Sequence, residues 1–216
     1  MKRWALLTVG LYVLCILILG TSMFLYLSAA MNDEVSPLFY VFFAFALVLV
    51  QVVLLLVPVA IVQEKPIKRR KIVTSAIIGA IPMGAMALGF FGSIILMIWG
   101  ENATAGYLYA WPVLFIPAAF WLLWGSIFYR SFSSKEPNLF TPAITRWLLK
   151  GSILELLVAI PSHIISRQRN ECCAPPLTLI AIVTGLSVAL MSFGPGIFFL
   201  FVKRIKDKKG KQYKIR

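Results

Sequence analysis

The sequence predicts an all-α, polytopic integral membrane protein with six transmembrane helices and both termini on the inner side. Three observations support this prediction. The 216 residues are 60% hydrophobic and only 13% charged, whereas soluble domains carry about 25% charged residues. The apolar residues come in runs of about 20, the length that crosses ~30 Å of hydrocarbon as a helix. Basic residues are concentrated in alternate connections between these runs.

The apolar segments leave no room for a soluble domain, so we expect one helical membrane domain over residues 1–216. The predicted spans are residues 4–29, 38–62, 72–99, 107–129, 147–165 and 177–202. Residues 203–216 form a basic cytoplasmic tail. The first segment also resembles a secretory signal peptide, with a small-residue cleavage site at Ser28-Ala29-Ala30. Its apolar run of about 24 residues exceeds the 7–15 of a signal sequence, so we expect it to remain as a span.

The distribution of charge orients the predicted spans. With the N-terminus inside, nineteen of the 21 Lys and Arg residues fall on the inner side, and only Arg167 and Arg169 fall outside. Basic residues in short loops stay cytoplasmic, so this asymmetry predicts that both termini are inside. The fifth segment, with Lys150, Glu155 and Pro161, is the least apolar, and a re-entrant segment is the alternative. We expect it to span, with Lys150 extending to the inner interface, because otherwise the basic tail would lie outside.

Composition also limits the kinds of molecule that this protein is expected to bind. The formal charge of +13 is accounted for by the topology signals, so we expect no nucleic-acid partner. The expected surroundings are the lipid bilayer of the plasma (inner) membrane, with anionic lipid attracted to the tail. Arg167, Arg169 and His163 could hold a lipid phosphate, but no nucleophile–base–oxyanion set accompanies them, and the sequence does not indicate an enzyme.

The loop at residues 166–176 collects the reactive side chains. His163, the only histidine, precedes it, and Glu171, Cys172 and Cys173 lie within it. Adjacent cysteines do not easily bond to each other, because a trans peptide sets their Cα atoms ~3.8 Å apart and a disulfide favours ~4.4–6.8 Å. Four alternatives remain open: an intermolecular disulfide, a strained vicinal disulfide, a soft-metal site, or two inert thiols.

Handling of a soft metal ion or a thiol at this loop is the first functional hypothesis. Thiolates bind Cu or Zn, and imidazole and carboxylate can complete the coordination shell. The predicted metal ligands are Cys172, Cys173, His163 and Glu171. The two arginines at 167 and 169 contradict the charge rule. They make the loop a candidate site for an anionic ligand, or for a partner protein that docks on a non-catalytic membrane subunit.

Glu155 carries the second hypothesis, a small transporter or channel. It lies nine residues past Arg146 and therefore near mid-membrane. A charged carboxylate there costs about 2.5–3.5 kcal/mol on insertion scales. The side chain is either a neutral acid bonded to a neighbouring helix or the working group of a proton or cation path. It shares a helix face with Ser152 and Ser162, whereas His163 lies about 80° around the helix and ~12 Å along it.

Small residues and prolines indicate how the helices pack. Small residues spaced four apart allow close helix contacts in lipid, although a glycine-lined pathway is the alternative. They form the rows Ala76–Ala80–Gly84, Ala85–Gly89–Ser93 and Ala181–Gly185–Ala189. Prolines inside spans kink helices. They stand at positions 58, 82, 117, 161 and 195, and Gly194-Pro195-Gly196 is either a hinge or a static kink.

Overall fold

A computed structural model describes residues 2–30, 37–62, 69–100, 110–133, 137–169 and 174–213. Within these ranges the chain is helical and contains no strand, which confirms the all-α class. The helices are α1 (Lys2–Ala30), α2 (Pro37–Val62), α3 (Arg69–Gly79), α4 (Ile81–Trp99), α5 (Ala110–Ser133), α6 (Pro137–Gln168) and α7 (Ala174–Tyr213).

Four stretches are long and apolar enough to cross a membrane, and they match the first, third, fifth and sixth predicted spans. They are Trp4–Tyr26, Val73–Trp99, Pro142–Gln168 and Pro175–Arg204. In α2 a shorter apolar stretch covers Ala44–Leu55. The second and fourth predicted spans coincide with the helices α2 and α5, and their crossing of the membrane remains a prediction.

The third predicted span is broken into two helices at Ala80. Pro82 lacks a backbone N–H and stands in the first turn of α4, where a proline is tolerated. The Ala80 amide donates to the carbonyls of Ala76 at 3.1 Å and Ile77 at 3.3 Å, which closes α3. The sequence predicted a kink at Pro82, and the structure shows a division of this span into two helices next to that proline.

The fifth predicted span lies within one unbroken helix. α6 has 32 residues, or ~48 Å at 1.5 Å per residue. This length favours a membrane crossing over a re-entrant hairpin. In this helix, the Lys150 ammonium lies 5.3 Å from the centre of the Trp147 ring. Trp147 packs against Trp124 of α5, with their ring centres 5.0 Å apart, so Lys150 lies over an aromatic surface. Its extension to the inner interface remains a prediction.

The helix α7 forms the centre of the bundle. It packs along α6 over its longest contact and also touches α1, α2 and α4, whereas α5 packs on α3 and α4. α4 and α6 run in the same direction, because Gly151 lies beside Met86 and Ser162 bonds to Ser93 further along both helices. α7 runs opposite to them. The outward surface carries large apolar side chains, among them Leu6, Phe42 and Leu200.

The predicted row of small residues in α3 and α4 is a close contact. Ala76 and Ala80 are buried, and Gly84 lies directly against α5. A Cβ atom added at Gly84 would be 2.5 Å from the carbonyl oxygen of Pro117. The backbones of α4 and α5 therefore approach each other more closely at this point than any side chain would allow.

Candidate functional site

One face of α6 is buried from Leu148 to Ser166 and carries several polar side chains. Its members recur every three or four residues, the spacing of a single helix face. They are Leu148, Ser152, Glu155, Ala159, Ser162 and Ser166, each no more than 1% exposed. This face packs against α4 and α7. Three serines and a glutamate thus lie between helices in a segment that can cross a membrane.

The carboxyl of Glu155 is the polar group on this face that most needs a partner. Neither of its oxygens has a hydrogen-bond partner among the residues that the structure describes. A Cβ atom at Gly89 would collide with Oε1, and one at Gly185 would be 3.1 Å from Oε2. The glycines of the second and third predicted rows therefore have a specific use. They let the carboxyl lie between the backbones of α4 and α7.

The surroundings of Glu155 carry no compensating charge. It is the only acidic residue in any of the six predicted spans. Neither α4 nor residues 174–202 of α7 contain an Asp, Glu, Lys, Arg or His. An ionised carboxylate buried without a partner is strongly disfavoured. The group is therefore neutralised, either by its own proton or by a bound cation.

Polar groups continue from Glu155 towards the C-terminal end of α6. The Ser162 hydroxyl donates to the Ser93 carbonyl of α4 at 2.8 Å. The hydroxyl oxygens of Ser93 and Ser166 are buried and have no partner within the described ranges. Buried hydroxyls are normally hydrogen-bonded, so each of these is able to hold a water molecule or another polar group.

Towards the N-terminal end of α6, the same face is apolar. The Ser152 hydroxyl donates to the Leu149 carbonyl of its own helix at 2.9 Å. The residues that follow belong to the largest buried apolar cluster. The members of this cluster on the two helices are Ile144 and Leu148 of α6 and Met83 and Met86 of α4, and the two methionines lie against Gly151. The carboxyl thus lies between a polar half and an apolar half of this α6 face.

His163 lies apart from Glu155 and joins α6 to the start of α7. Its Nδ1 atom is 2.9 Å from the Thr178 hydroxyl oxygen and 3.2 Å from the Pro175 carbonyl. The Thr178 hydroxyl in turn donates to the Pro175 carbonyl at 3.0 Å. The histidine ring therefore has a structural role, because it connects the two helices that flank the 166–176 loop.

The other predicted metal ligands, Glu171, Cys172 and Cys173, lie outside the described residues, and the metal site remains a prediction. Within the described ranges, no group of three or more His, Cys, Asp or Glu side chains could hold a metal ion. Arg167 and Arg169 are exposed at the end of α6, next to the loop.

The structure also reveals a buried amide that the sequence analysis missed. Gln51 of α2 is 0% exposed, and neither amide atom has a hydrogen-bond partner among the described residues. It packs against Gly194 of α7, where a Cβ atom would collide with Nε2. A single glutamine in an otherwise apolar span was the available signal. Gly194 lies nine residues, or ~13 Å, along α7 from Gly185, so this contact is separate from Glu155.

Comparisons of the chain with protein-family models, with curated proteins and with solved structures found no match.

Proposed function

We propose that this protein is a small membrane transporter or channel in which Glu155 binds the transported or coupling ion. The observation that carries the proposal is the buried carboxyl of Glu155, whose two oxygens have no partner in the described part of the chain. Ionisable groups inside membrane spans typically serve ion pathways and proton relays, because an idle one is costly. Two glycines from different helices accommodate this group, which indicates a built site.

The proposal includes the orientation predicted from charge. Six spans would cross the plasma (inner) membrane with both termini in the cytoplasm, and the basic tail would bind anionic lipid. In this orientation, the polar half of the α6 face opens towards the outer side. The apolar cluster of Ile144, Leu148, Met83 and Met86 separates Glu155 from the cytoplasm.

A hydrophobic carbodiimide tests whether the carboxyl works in transport. Such reagents enter the bilayer and react with protonated carboxylic acids, so Glu155 should be modified in preference to the acids in the water-exposed loops. We expect one adduct per chain at Glu155 by peptide mass spectrometry. Proton or cation flux in reconstituted vesicles should fall in proportion to the modified fraction.

The matched control is the same treatment of Glu155→Gln, which should take up no adduct at this position. Complete modification of Glu155 in vesicles that retain full flux would refute the proposal. Absence of any ion flux from the unmodified protein, tested with H⁺, Na⁺ and K⁺ gradients, would also count against it.

The 166–176 loop supports a second candidate function, the handling of a soft metal ion or thiol, or the docking of a partner protein. The contact between His163 and Thr178 favours it, because it brings both ends of the loop to one place. Cys172 and Cys173 would supply thiolates there, and Glu171 a carboxylate. Arg167 and Arg169 would hold an anionic ligand or a partner beside them.

Labelling of the loop cysteines with a membrane-impermeant maleimide in intact cells tests this second candidate. A metal site predicts labelling without reductant that added Cu or Zn blocks, and Cys172→Ser/Cys173→Ser is the control. Labelling only after reduction would indicate a disulfide and favour thiol redox chemistry or capture of a partner. Labelling that metal leaves unchanged would contradict the metal site, and labelling only after lysis would contradict the outer position of the loop.

A further inference from the structure

We propose that the ion at Glu155 is a proton, and that in the conformation described it reaches the carboxyl from one side, along the serine hydroxyls between α4 and α6. The path leads from Glu155 past Ser93, Ser162 and Ser166 to the C-terminal end of α6. This inference rests on the proposed function for the statement that the site is used in transport. The identity of the ion and the direction of access rest on separate observations.

The residues beside the carboxyl favour a proton over a metal cation. Oxygen-binding cations such as Ca²⁺ and Mg²⁺ take about six or more oxygen ligands. Gly89 of α4 and Gly185 of α7 lie beside the carboxyl, with Ala181 next to Gly89, and none of the three has a side-chain oxygen. The backbone of Gly89 lies so close that no methyl group would fit there. A proton needs no cavity and only one neighbouring hydroxyl or water.

The serine hydroxyls lie at the right places to lead a proton outwards. Ser93 is one turn beyond Gly89 on α4, and Ser162 and Ser166 are two and three turns beyond Glu155 on α6. One turn is 5.4 Å, which is longer than a hydrogen bond, so water molecules would connect successive hydroxyls. Ser162 uses its hydrogen on the Ser93 carbonyl and keeps its lone pairs as acceptors. The unpartnered hydroxyls of Ser93 and Ser166 are available to such waters.

No comparable row of hydroxyls continues along this face of α6 in the other direction. The Ser152 hydroxyl bonds to its own helix, and the apolar cluster of Ile144, Leu148, Met83 and Met86 follows. The other charged or titratable groups of α6 lie on both sides of Glu155 and outside its buried face. They are Arg146 and Lys150 on the apolar side, with His163, Arg167 and Arg169 on the serine side. α4 and residues 174–202 of α7 contribute none, so the proton at Glu155 exchanges only through neutral groups.

Infrared spectroscopy of the purified full-length protein in lipid nanodiscs tests both parts. A protonated Glu155 gives a carboxylic C=O band at neutral pH that is absent in Glu155→Gln and shifts as the proton is exchanged in D₂O. Ser162→Ala should slow this exchange by about tenfold, comparable to the loss of one hydrogen bond from the path. Ser152→Ala, on the same face but on the apolar side, should exchange at the wild-type rate.

Ser166→Ala provides a second variant in case Ser162→Ala does not fold, because Ser166 makes no hydrogen bond within the described ranges that its removal would break. Equal exchange rates in the wild type, Ser162→Ala and Ser166→Ala would overturn the path. Slowing by Ser152→Ala of the same size would overturn its one-sidedness. If the C=O band disappears when Na⁺ or K⁺ is added, the ion at Glu155 is not a proton and this part of the proposal is wrong. None of these results depends on flux, so a failure of the transport proposal would show separately.

Discussion

Glu155→Gln is expected to abolish ion flux while leaving the protein folded. Glutamine has nearly the same shape as glutamic acid, so it fits the space between Gly89 and Gly185. It can neither release a proton nor neutralise a cation. The side chain is uncharged, so its burial carries no penalty for ionisation. Flux in reconstituted vesicles should fall to the level of protein-free vesicles, with an unchanged elution profile in size-exclusion chromatography.

Ser152→Ala is the matched control for this variant. It removes a polar atom from the same buried face, one turn away, but its hydroxyl only bonds to the Leu149 carbonyl of its own helix. It should retain wild-type flux. If Glu155→Gln conducts as well as the wild type, Glu155 is a structural acid and the transport proposal is wrong.

Gly84→Ala is expected to cause the largest loss of stability among the glycine variants. The added Cβ would lie 2.5 Å from the Pro117 carbonyl oxygen, 3.2 Å from its carbon and 3.3 Å from its Cα. All three are backbone atoms, so no rotation of a side chain relieves the collision. α4 and α5 must move apart, and overpacking of this kind costs about 1–3 kcal/mol. The free energy of unfolding in mixed micelles should fall by that amount.

Gly92→Ala is the matched control for Gly84→Ala, since both are glycine-to-alanine changes within α4. A Cβ at Gly92 meets no atom within 4 Å in the described part of the chain. The change should be neutral or slightly stabilising, because alanine favours the helix by about 0.5–1 kcal/mol over glycine. Equal stabilities of the two variants would mean that α4 and α5 do not approach as described.

Several features of the site could be predicted from the sequence, because they depend on residues close together in one helix. Helical periodicity alone places Ser152 and Ser162 on the face of Glu155. The spacing of small residues correctly marks Gly84, Gly89 and Gly185 as points of close approach. Hydropathy finds the four stretches that the structure also shows to be long and apolar enough to span.

Other features could not be predicted, because they depend on how separate helices are rotated against each other. Nothing local to Glu155 says that Gly89, 66 positions earlier, lies beside its carboxyl. The unpartnered state of Gln51 depends likewise on its position against Gly194 of α7. The chemistry of Glu171, Cys172 and Cys173 lies outside the described residues and stays a prediction.

The pairing of a carboxyl with two glycines has a consequence for how this sequence can change in evolution. Alanine at position 89 would force the glutamate carboxyl out of its present position, and alanine at position 185 would crowd it. A shorter side chain at 155 would remove both restrictions at once, and would leave a void that two methyl groups could partly fill. Positions 89, 155 and 185 therefore form one unit of substitution, and relatives that have lost the acid are the ones in which both glycines are free to vary.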